Sequence, residues 1–190
     1  MIFSDEKKFN LDGPDGFNGY WRDLRKEPRY FSKRNFGGGS VMVWGAFCAT
    51  GRLELQFVSH KMKSSDYINV LKASLLPVIK RRRKSKLIFQ QDNASIHKSA
   101  ETMKWLKSEK IDILGWPACS PDLNPIENLW GIMVRQIYAD NRQFSSLQEL
   151  KSAILQSWEA IELATLQKLV QSMPNRIFQT INRSGGATDH

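Results

Sequence analysis

The sequence predicts an α/β protein in which helices pack on the faces of a mixed β-sheet. Two observations lead to this class. Short apolar runs of strand type alternate with helical periodicity up to about residue 116, and beyond Pro117 the periodicity is almost entirely helical. The chain has 190 residues, of which 41% are apolar and 25% charged. We therefore expect one domain over residues 1–190 with a substantial core.

Five segments are predicted to form strands. The first is a very short strand start, I-F-S at Ile2–Ser4, which is closed by turn residues at Gly13–Gly16. The next two form a hairpin around a turn at Thr50 and Gly51, and the last two flank a helix. After the first, the predicted strands are Val41–Cys48, Leu53–Val58, Leu87–Gln91 and Ile111–Trp116.

Helical spacing of apolar residues predicts the other elements. Ser64 and Ser65 are expected to cap a first helix, whose apolar positions run from Tyr67 to Ile79. A second helix is expected from about Ser99 to Glu109. Beyond Pro117 we expect four helical segments, at about 125–139, 146–160, 162–173 and 176–182.

The charge balance favours a polyanionic partner. Lys and Arg total 28 against 19 Asp and Glu, so the net charge is +9, and such a balance fits phosphate contacts with nucleic acid. A merely soluble basic protein would show the same balance. The chain has no C-x-x-C pair, no signal-peptide core at its N-terminus and no apolar stretch near the ~18 residues of a membrane span. We expect a soluble intracellular protein without a membrane partner.

Two basic segments are candidates for DNA contact. The run K-R-R-R-K-S-K at Lys80–Lys86 is usually a solvated helix end, but in a phosphate-seeking protein it can also contact DNA or serve as a nuclear localisation signal, and we expect a nuclear protein. The second segment interleaves cations with Trp21, Tyr30 and Phe31, which suits a nucleic-acid strand. The candidate residues are Arg22, Arg25, Lys33 and Arg34 in this second segment and Lys80, Arg81, Arg82, Arg83 and Lys84 in the run.

The glycine-rich stretch Gly37–Ser40 is a candidate phosphate cradle only at first sight. It lacks the G-K-[ST] ending of a nucleotide loop, and it precedes a strand where such a loop would open a helix. We therefore expect a flexible entry to the second strand and no nucleotide cofactor.

Acidic residues at particular places in the predicted fold suggest a metal site. Asp92 ends an apolar strand, where open α/β sheets usually hold ligands, although an Asp that starts a turn with Asn93 is commoner. Asp5 also follows an apolar strand start. His97, five residues after Asp92, is either a contact to a scissile phosphate or water, or a packing or capping histidine.

Glu127 has a structural alternative of its own. With Asn124 as helix N-cap and Pro125 as the first helical residue, Glu127 takes the third position of a capping box. It also borders an apolar stripe that runs from Ile126 to Tyr138, so its carboxylate can face the sheet edge where Asp92 lies. Three carboxylates are what a pair of Mg²⁺ ions needs, and two such ions can clamp both sides of a phosphodiester displacement.

Four motifs together resemble the catalytic domain of Tc/mariner-type DNA transposases, most closely the nematode Tc branch. They are F-S-D-E-K-K-F, G-G-G-S-V-M-V-W-G, Q-Q-D-N-A and S-P-D-L-N-P-I-E-N-L-W-G, and the resemblance runs from Ile2 to about Arg183. It implies an RNase H-like fold, as in retroviral integrases and transposases, here with a five-stranded sheet. It also implies an Asp, Asp, Glu triad at Asp5, Asp92 and Glu127, the last two separated by the 34 residues 93–126.

The same resemblance implies a reaction and partners. Two Mg²⁺ or Mn²⁺ ions would support cleavage of DNA at transposon ends and joining of the 3′ end to target DNA, by a homodimer and without a covalent protein intermediate. Family members carry an N-terminal helix-turn-helix region that recognises the terminal repeats, and nothing in residues 1–190 resembles it. We therefore expect an isolated catalytic domain. The alternatives are a relic domain that binds DNA or a protein without catalysis, and an RNase H-type nuclease.

Overall fold

The computed structural model describes residues 1–14, 38–82, 85–118, 120–183, 185–186 and 188. In these ranges the chain forms six strands and six α-helices. The strands are β1 (Ile2–Asn10), β2 (Ser40–Cys48), β3 (Gly51–Arg52), β4 (Gln56–Val58), β5 (Ile88–Gln90) and β6 (Asp112–Ile113). The helices are α1 (Ser64–Arg81), α2 (Ala100–Ser108), α3 (Pro125–Ile137), α4 (Leu147–Glu159), α5 (Leu163–Gln171) and α6 (Met173–Asn182).

The sheet is mixed, as the sequence predicts. Its strand order is β3-β2-β1-β5-β6, and β4 also pairs with β2. The strands β1 and β2 are antiparallel, whereas β5 is parallel to both β1 and β6. The chain therefore crosses over from β1 to its parallel neighbour β5 through β2 and α1. The carboxyl ends of β1 and β5 point to the same edge of the sheet.

The first strand is much longer than the short start predicted from I-F-S. It extends over nine residues because β2 pairs with it from Phe3↔Phe47 to Asn10↔Ser40. The polar stretch D-E-K-K makes this strand difficult to predict from the sequence. Pairing with a neighbouring strand can keep such residues in a sheet against their intrinsic preference. Asp5 consequently lies in the middle of a strand and not after one.

The predicted hairpin partner Leu53–Val58 is split into two short strands, so the sheet has six strands among the described residues and not five. Leu53 and Leu55 are both buried, but they belong to core clusters on opposite faces of the sheet. In a regular strand, residues two apart point to the same face. The break between β3 and β4 is what allows the two leucines to diverge.

The predicted helices are confirmed, with some differences at their starts. Ser99 caps α2, and its Oγ accepts a hydrogen bond from the Thr102 backbone at 3.2 Å. The first helix begins after Lys63 and not after the predicted serine caps, because the Asp66 carboxylate accepts the Lys63 N–H at 2.9 Å. The last helix starts at Met173, three residues before its predicted start.

Two apolar clusters form the core, one on each face of the sheet. Side chains of β2 alternate between them: Val43 and Phe47 face α3 and α4, while Trp44 and Ala46 face α1 and α2. This burial on both faces explains why β2 reads as a continuous apolar run. No helix within the described ranges is long and apolar enough to cross a membrane.

Candidate active site

The three predicted triad residues lie on separate segments at one edge of the sheet. Ile2 and Phe3 of β1 pair with Phe89 and Gln90 of β5, so Asp5 and Asp92 each lie two residues beyond this parallel ladder on adjacent segments. Glu127 stands in the first turn of α3, and its charge acts on Asp5. The fold therefore brings together three carboxylates that are distant in the sequence.

Asp5 is the buried member of this group. Removal from water is the largest influence on its carboxyl group, followed by the negative charges of Glu127 and Glu6, and together they raise the pKa of Asp5 to about 8. The Trp130 indole donates a hydrogen bond to Asp5 Oδ2 at 3.2 Å, which opposes this rise. At neutral pH and without a cation, Asp5 therefore keeps a proton.

A glycine opposite Asp5 makes the tryptophan contact possible. Gly45 of β2 is the strand partner of Asp5, and a Cβ at this position would lie 2.6 Å from the Trp130 ring. The ring also stacks on Trp158, with centroids 5.6 Å apart. The indole can approach β1 closely only because residue 45 has no side chain.

Asp92 has a different environment, since its side chain is 50% exposed and has a histidine partner. His97 Nδ1 lies 2.5 Å from Asp92 Oδ1, and His97 Nε2 lies 3.2 Å from Glu6 Oε1. Burial alone would lower the pKa of His97, but these two hydrogen bonds and the charges of their carboxylates outweigh it and raise the pKa to about 9. The hydrogen bond from His97 lowers the pKa of Asp92.

His97 is therefore placed differently from a DNA contact. It is 3% exposed, and both ring nitrogens are used by carboxylates, so it offers no nitrogen to a phosphate in this structure. The packing alternative describes it better, because the protonated ring orients Asp92 and Glu6. Glu6 is a functional candidate that the sequence analysis missed, although it is adjacent to Asp5 in the motif F-S-D-E.

A buried polar network fixes the position of the histidine. Tyr67 of α1 donates to Gln91 Oε1 at 2.8 Å, and Gln91 Nε2 donates to the His97 carbonyl at 3.1 Å. The rings of Tyr67 and His97 are 4.2 Å apart. Burial, followed by the charges of Glu6 and Asp92, raises the pKa of Tyr67 well above its ordinary value, so its hydroxyl stays protonated and continues to donate.

Hydrogen bonds next to the acidic residues tie the three segments together. Ser4, beside Asp5, donates through Oγ to the Gln90 carbonyl at 2.8 Å, and its backbone N–H donates to Gln90 Oε1 at 3.1 Å. Asn124 Nδ2 donates to the Ser4 carbonyl at 3.1 Å. These contacts link β1, β5 and the start of α3 beside Asp5, Asp92 and Glu127.

The helix start that carries Glu127 is only half of the predicted capping box. Asn124 is the N-cap and accepts the Ile126 N–H at 3.4 Å, and Pro125 is the first helical residue, as predicted. The Asn124 N–H, however, donates to the Pro121 carbonyl at 2.9 Å and not to the Glu127 carboxylate. The capping-box alternative is wrong for the Glu127 side chain, which leaves its carboxylate available at the sheet edge.

The donor set fits a hard divalent cation. All three predicted ligands offer carboxylate oxygens, which Mg²⁺ and Mn²⁺ prefer, and a cation would neutralise the charges that keep Asp5 protonated. Within the described ranges, no three Asp, Glu, His or Cys side chains already form a metal cage. Asp5 and Glu127 thus interact electrostatically and Asp92 lies on the segment adjacent to Asp5, but the three carboxylates do not close around a common centre.

The described residues of the basic run precede β5, whereas Asp92 follows this strand. Lys80 and Arg81 are exposed at the end of α1, and Arg82 follows the helix and donates to Thr50 Oγ1. Lys86, the end of the run, lies two residues before β5, whereas Asp92 lies two residues after it, so these two residues lie at opposite ends of this strand. Of the other predicted DNA contacts, Arg22, Arg25, Lys33, Arg34, Arg83 and Lys84 lie outside the described residues.

Comparison with known proteins identifies the class of this domain. Residues 1–151 match the family model described as DDE superfamily endonuclease. The chain is 54% identical over its full length to the Caenorhabditis elegans Tc3 transposase, of which it spans 58%, and 36% identical to the Tc1 transposase of the same organism, of which it spans 70%. The chain therefore belongs to the DDE superfamily endonucleases, and within them to the family of the Tc transposases.

The fold agrees with this assignment. The Mos1 transposase in its paired-end complex with the left transposon end superimposes with a TM-score of 0.83 at 20% identity, covering 98% of this chain and 55% of Mos1. The Mos1 catalytic domain alone gives a TM-score of 0.72 at 17% identity and covers 99% of this chain. The domain thus has the RNase H-like fold of that catalytic domain. Other solved Mos1 paired-end complexes contain Mg or Mn.

Proposed function

We propose that this chain is the catalytic domain of a transposase that cleaves DNA at transposon ends and joins the 3′ ends to target DNA. The observation that carries the proposal is the placement of Asp5, Asp92 and Glu127 on three tied segments at one sheet edge. The chain spans 58% of the Tc3 transposase, so the proposal concerns cleavage and joining, and not recognition of a particular end sequence.

Asp5, Asp92 and Glu127 would hold two Mg²⁺ or Mn²⁺ ions. When bound, such ions activate a water or a DNA 3′-hydroxyl and stabilise the leaving 3′-oxygen of an in-line displacement. His97 holds one Asp92 oxygen in place and leaves the second oxygen free of that contact. Asp5 has to release its proton to become a ligand, so cation binding should strengthen as the pH rises toward its pKa of about 8.

The partner in this proposal is DNA, and the protein acts in the nucleus as a homodimer. The net charge of +9 supports a polyanionic partner. The Mos1 structures in which a related fold is seen with a transposon end, Mg or Mn support both the substrate and the metals. The basic run Lys80–Lys86 is suited to nuclear targeting or to DNA contact.

The decisive experiment is Mn²⁺-dependent nicking of supercoiled plasmid by the Asp92→Asn variant. We expect nicking to disappear because a neutral amide is a poor ligand for a hard cation. The melting temperature without metal should stay within a few degrees of the wild-type value, because the Asp92 side chain is half exposed.

The matched control is Asp112→Asn, which makes the same chemical change on the exposed first residue of β6. It should nick like the wild-type protein. Nicking by Asp92→Asn at the wild-type rate would refute the proposed function. Calorimetry with Mn²⁺ separates the relic alternative, since a non-catalytic relic need not bind the metal, and joining of a 3′ end to target DNA separates the RNase H-type nuclease, which only cleaves.

A further inference from the structure

The last helix contains an unusual buried cation. Arg176 on α6 is 1% exposed, and it is the one residue of this helix classed as buried within the described structure. Met173, the first residue of α6, packs partly buried against the core, but later apolar side chains contribute little burial, since Phe178 is 61% and Ile181 70% exposed. Beyond Met173, the helix is therefore attached to the domain through the polar contacts of Arg176 and not through a buried apolar face.

The guanidinium of Arg176 contacts both sides of the Glu127 position. Its Nη1 donates to the Asp122 carbonyl at 2.7 Å, in the turn before α3. Its Nη2 donates to Asn128 Oδ1 at 2.8 Å, in the first turn of α3, and its Nε donates to Ser172 Oγ at 2.9 Å. Asp122 and Asn128 lie on either side of Glu127 in the sequence, so one planar guanidinium bonds to both ends of the segment that carries this carboxylate.

Residues near the C-terminus strengthen the same attachment. The Thr188 N–H donates to Asp122 Oδ2 at 2.8 Å, and the Thr188 hydroxyl donates to the Asp122 carbonyl at 3.4 Å. On its other side, the start of α3 is held by the bond from Asn124 to the Ser4 carbonyl on β1. The turn and first helical turn around Glu127 are thus held between β1 and the C-terminal segment.

The chemistry of this contact favours positioning over simple stabilisation. All three hydrogen-bond acceptors of Arg176 are neutral, and burying a guanidinium without a directly bonded carboxylate is costly. Its planar fork, however, holds two acceptors at a fixed separation, which an ammonium or an apolar side chain cannot do. What such an arrangement secures is the relative position of the turn and the helix start.

We infer that Arg176 is a positioning residue for Glu127, which sets where this carboxylate stands relative to Asp5 and Asp92. The inference rests on the proposed function, because it assumes that the three carboxylates bind divalent cations. Loss of the guanidinium would let the first turn of α3 shift. The site would then bind cations less tightly, while the catalytic groups themselves remain present.

The test is Arg176→Met, with Mn²⁺ binding measured by calorimetry and nicking measured over a Mn²⁺ titration. We expect the dissociation constant and the half-saturating Mn²⁺ concentration to rise by about tenfold, as for lost outer contacts of metal ligands, with nicking largely recovered at saturating metal. If Arg176 had a purely structural role, the substitution would lower the melting temperature or the fraction of active protein. It would leave the Mn²⁺ dissociation constant and the half-saturating Mn²⁺ concentration unchanged. An unchanged Mn²⁺ requirement in the folded variant would overturn the inference.

Two further variants make the result specific. Asn128→Ala removes the acceptor on α3 without a core cavity and should raise the Mn²⁺ requirement in the same direction, which decides the question if Arg176→Met does not fold. The two effects should be less than additive in the double variant, because both substitutions remove the same hydrogen bond between Arg176 and Asn128. Arg135→Met, which removes an equal charge from an exposed position on α3, should behave like the wild-type chain.

The wild-type chain separates this inference from the proposed function. If the wild-type chain binds Mn²⁺ but does not nick DNA, the proposed function fails. Calorimetric comparison of its Mn²⁺ affinity with that of Arg176→Met still tests the role of Arg176. If the wild-type chain binds no Mn²⁺ at all, both are overturned.

Discussion

The two aspartates of the site have the same side chain but opposite electrostatic settings. Asp5 is buried beside two other carboxylates, and its pKa is raised to about 8, whereas the half-exposed Asp92 is paired with His97 and its pKa is lowered. Asp92 is therefore ionised and oriented before any metal arrives. Asp5 becomes a ligand only when a cation displaces its proton.

This difference shows how a site can hold its carboxylates in place before metal binds without three uncompensated negative charges. Three ionised carboxylates at one sheet edge would repel one another, and a fully charged site would destabilise the fold. A protonated histidine compensates Asp92 and Glu6, and a retained proton compensates Asp5. The missing positive charge is then supplied by the metal, which links cation binding to proton release.

The largest effect is expected from Asp5→Asn. Nicking should fall by about a thousandfold or more, since a lost metal ligand costs several kcal/mol of transition-state stabilisation. The same change should stabilise the metal-free fold at alkaline pH. Because the folded pKa of about 8 lies above the ordinary value of 3.8, the folded state binds the extra proton, and wild-type stability falls as the pH rises between these values.

Urea unfolding at pH 5, 7 and 9 without divalent cations measures this second effect. Part of the wild-type decrease above pH 6.5 belongs to His97, whose raised pKa makes its contribution fall toward pH 9. Asp5→Asn should therefore remove much of the decrease between pH 5 and 7, where His97 contributes little. A variant that loses stability with pH as steeply as the wild type over this range would contradict the assigned environment of Asp5.

A smaller effect is expected from Gly45→Ala, which disturbs the Asp5 side alone. The new Cβ would meet the Trp130 ring at 2.6 Å, so the free energy of unfolding should drop by roughly 1–3 kcal/mol. Nicking should also fall, since the indole would move away from Asp5. Gly115→Ala is the control, because its Cβ would meet no atom within 4 Å. Equal melting temperatures for the two variants would be inconsistent with the close approach of Trp130.

The smallest effect is expected from His97→Gln, which disturbs the Asp92 side. Glutamine cannot supply a positive charge to both carboxylates, so the half-saturating Mn²⁺ concentration should rise by about tenfold. His60→Gln is the control, because His60 is exposed and bonds to Ser40. If both variants need the same Mn²⁺ concentration as the wild type, His97 does not orient Asp92.

Local patterns were sufficient to predict most of the helices. Periodicity and capping residues located α2 to α5 to within a few residues, because these signals act over one or two helical turns. The three acidic residues were predicted from motifs that resemble the Tc/mariner-type transposases. Asp92 follows a strand and Glu127 lies near a helix start, as their local patterns predict, whereas Asp5 lies within β1. The length of β1 could not be predicted from D-E-K-K, since only its pairing with β2 makes those residues a strand.

The sequence by itself determined an α/β domain, its helices and its basic character, and it predicted the three acidic residues of the candidate site. The tertiary structure alone decided which groups adjust those acids: His97 beside Asp92 with Glu6 on its other ring nitrogen, Trp130 over Gly45 beside Asp5, and Arg176 next to Glu127. These partners are separated in sequence by up to 125 residues. Their interaction depends on burial and on distances across the sheet, and neither quantity is encoded in any local stretch of the chain.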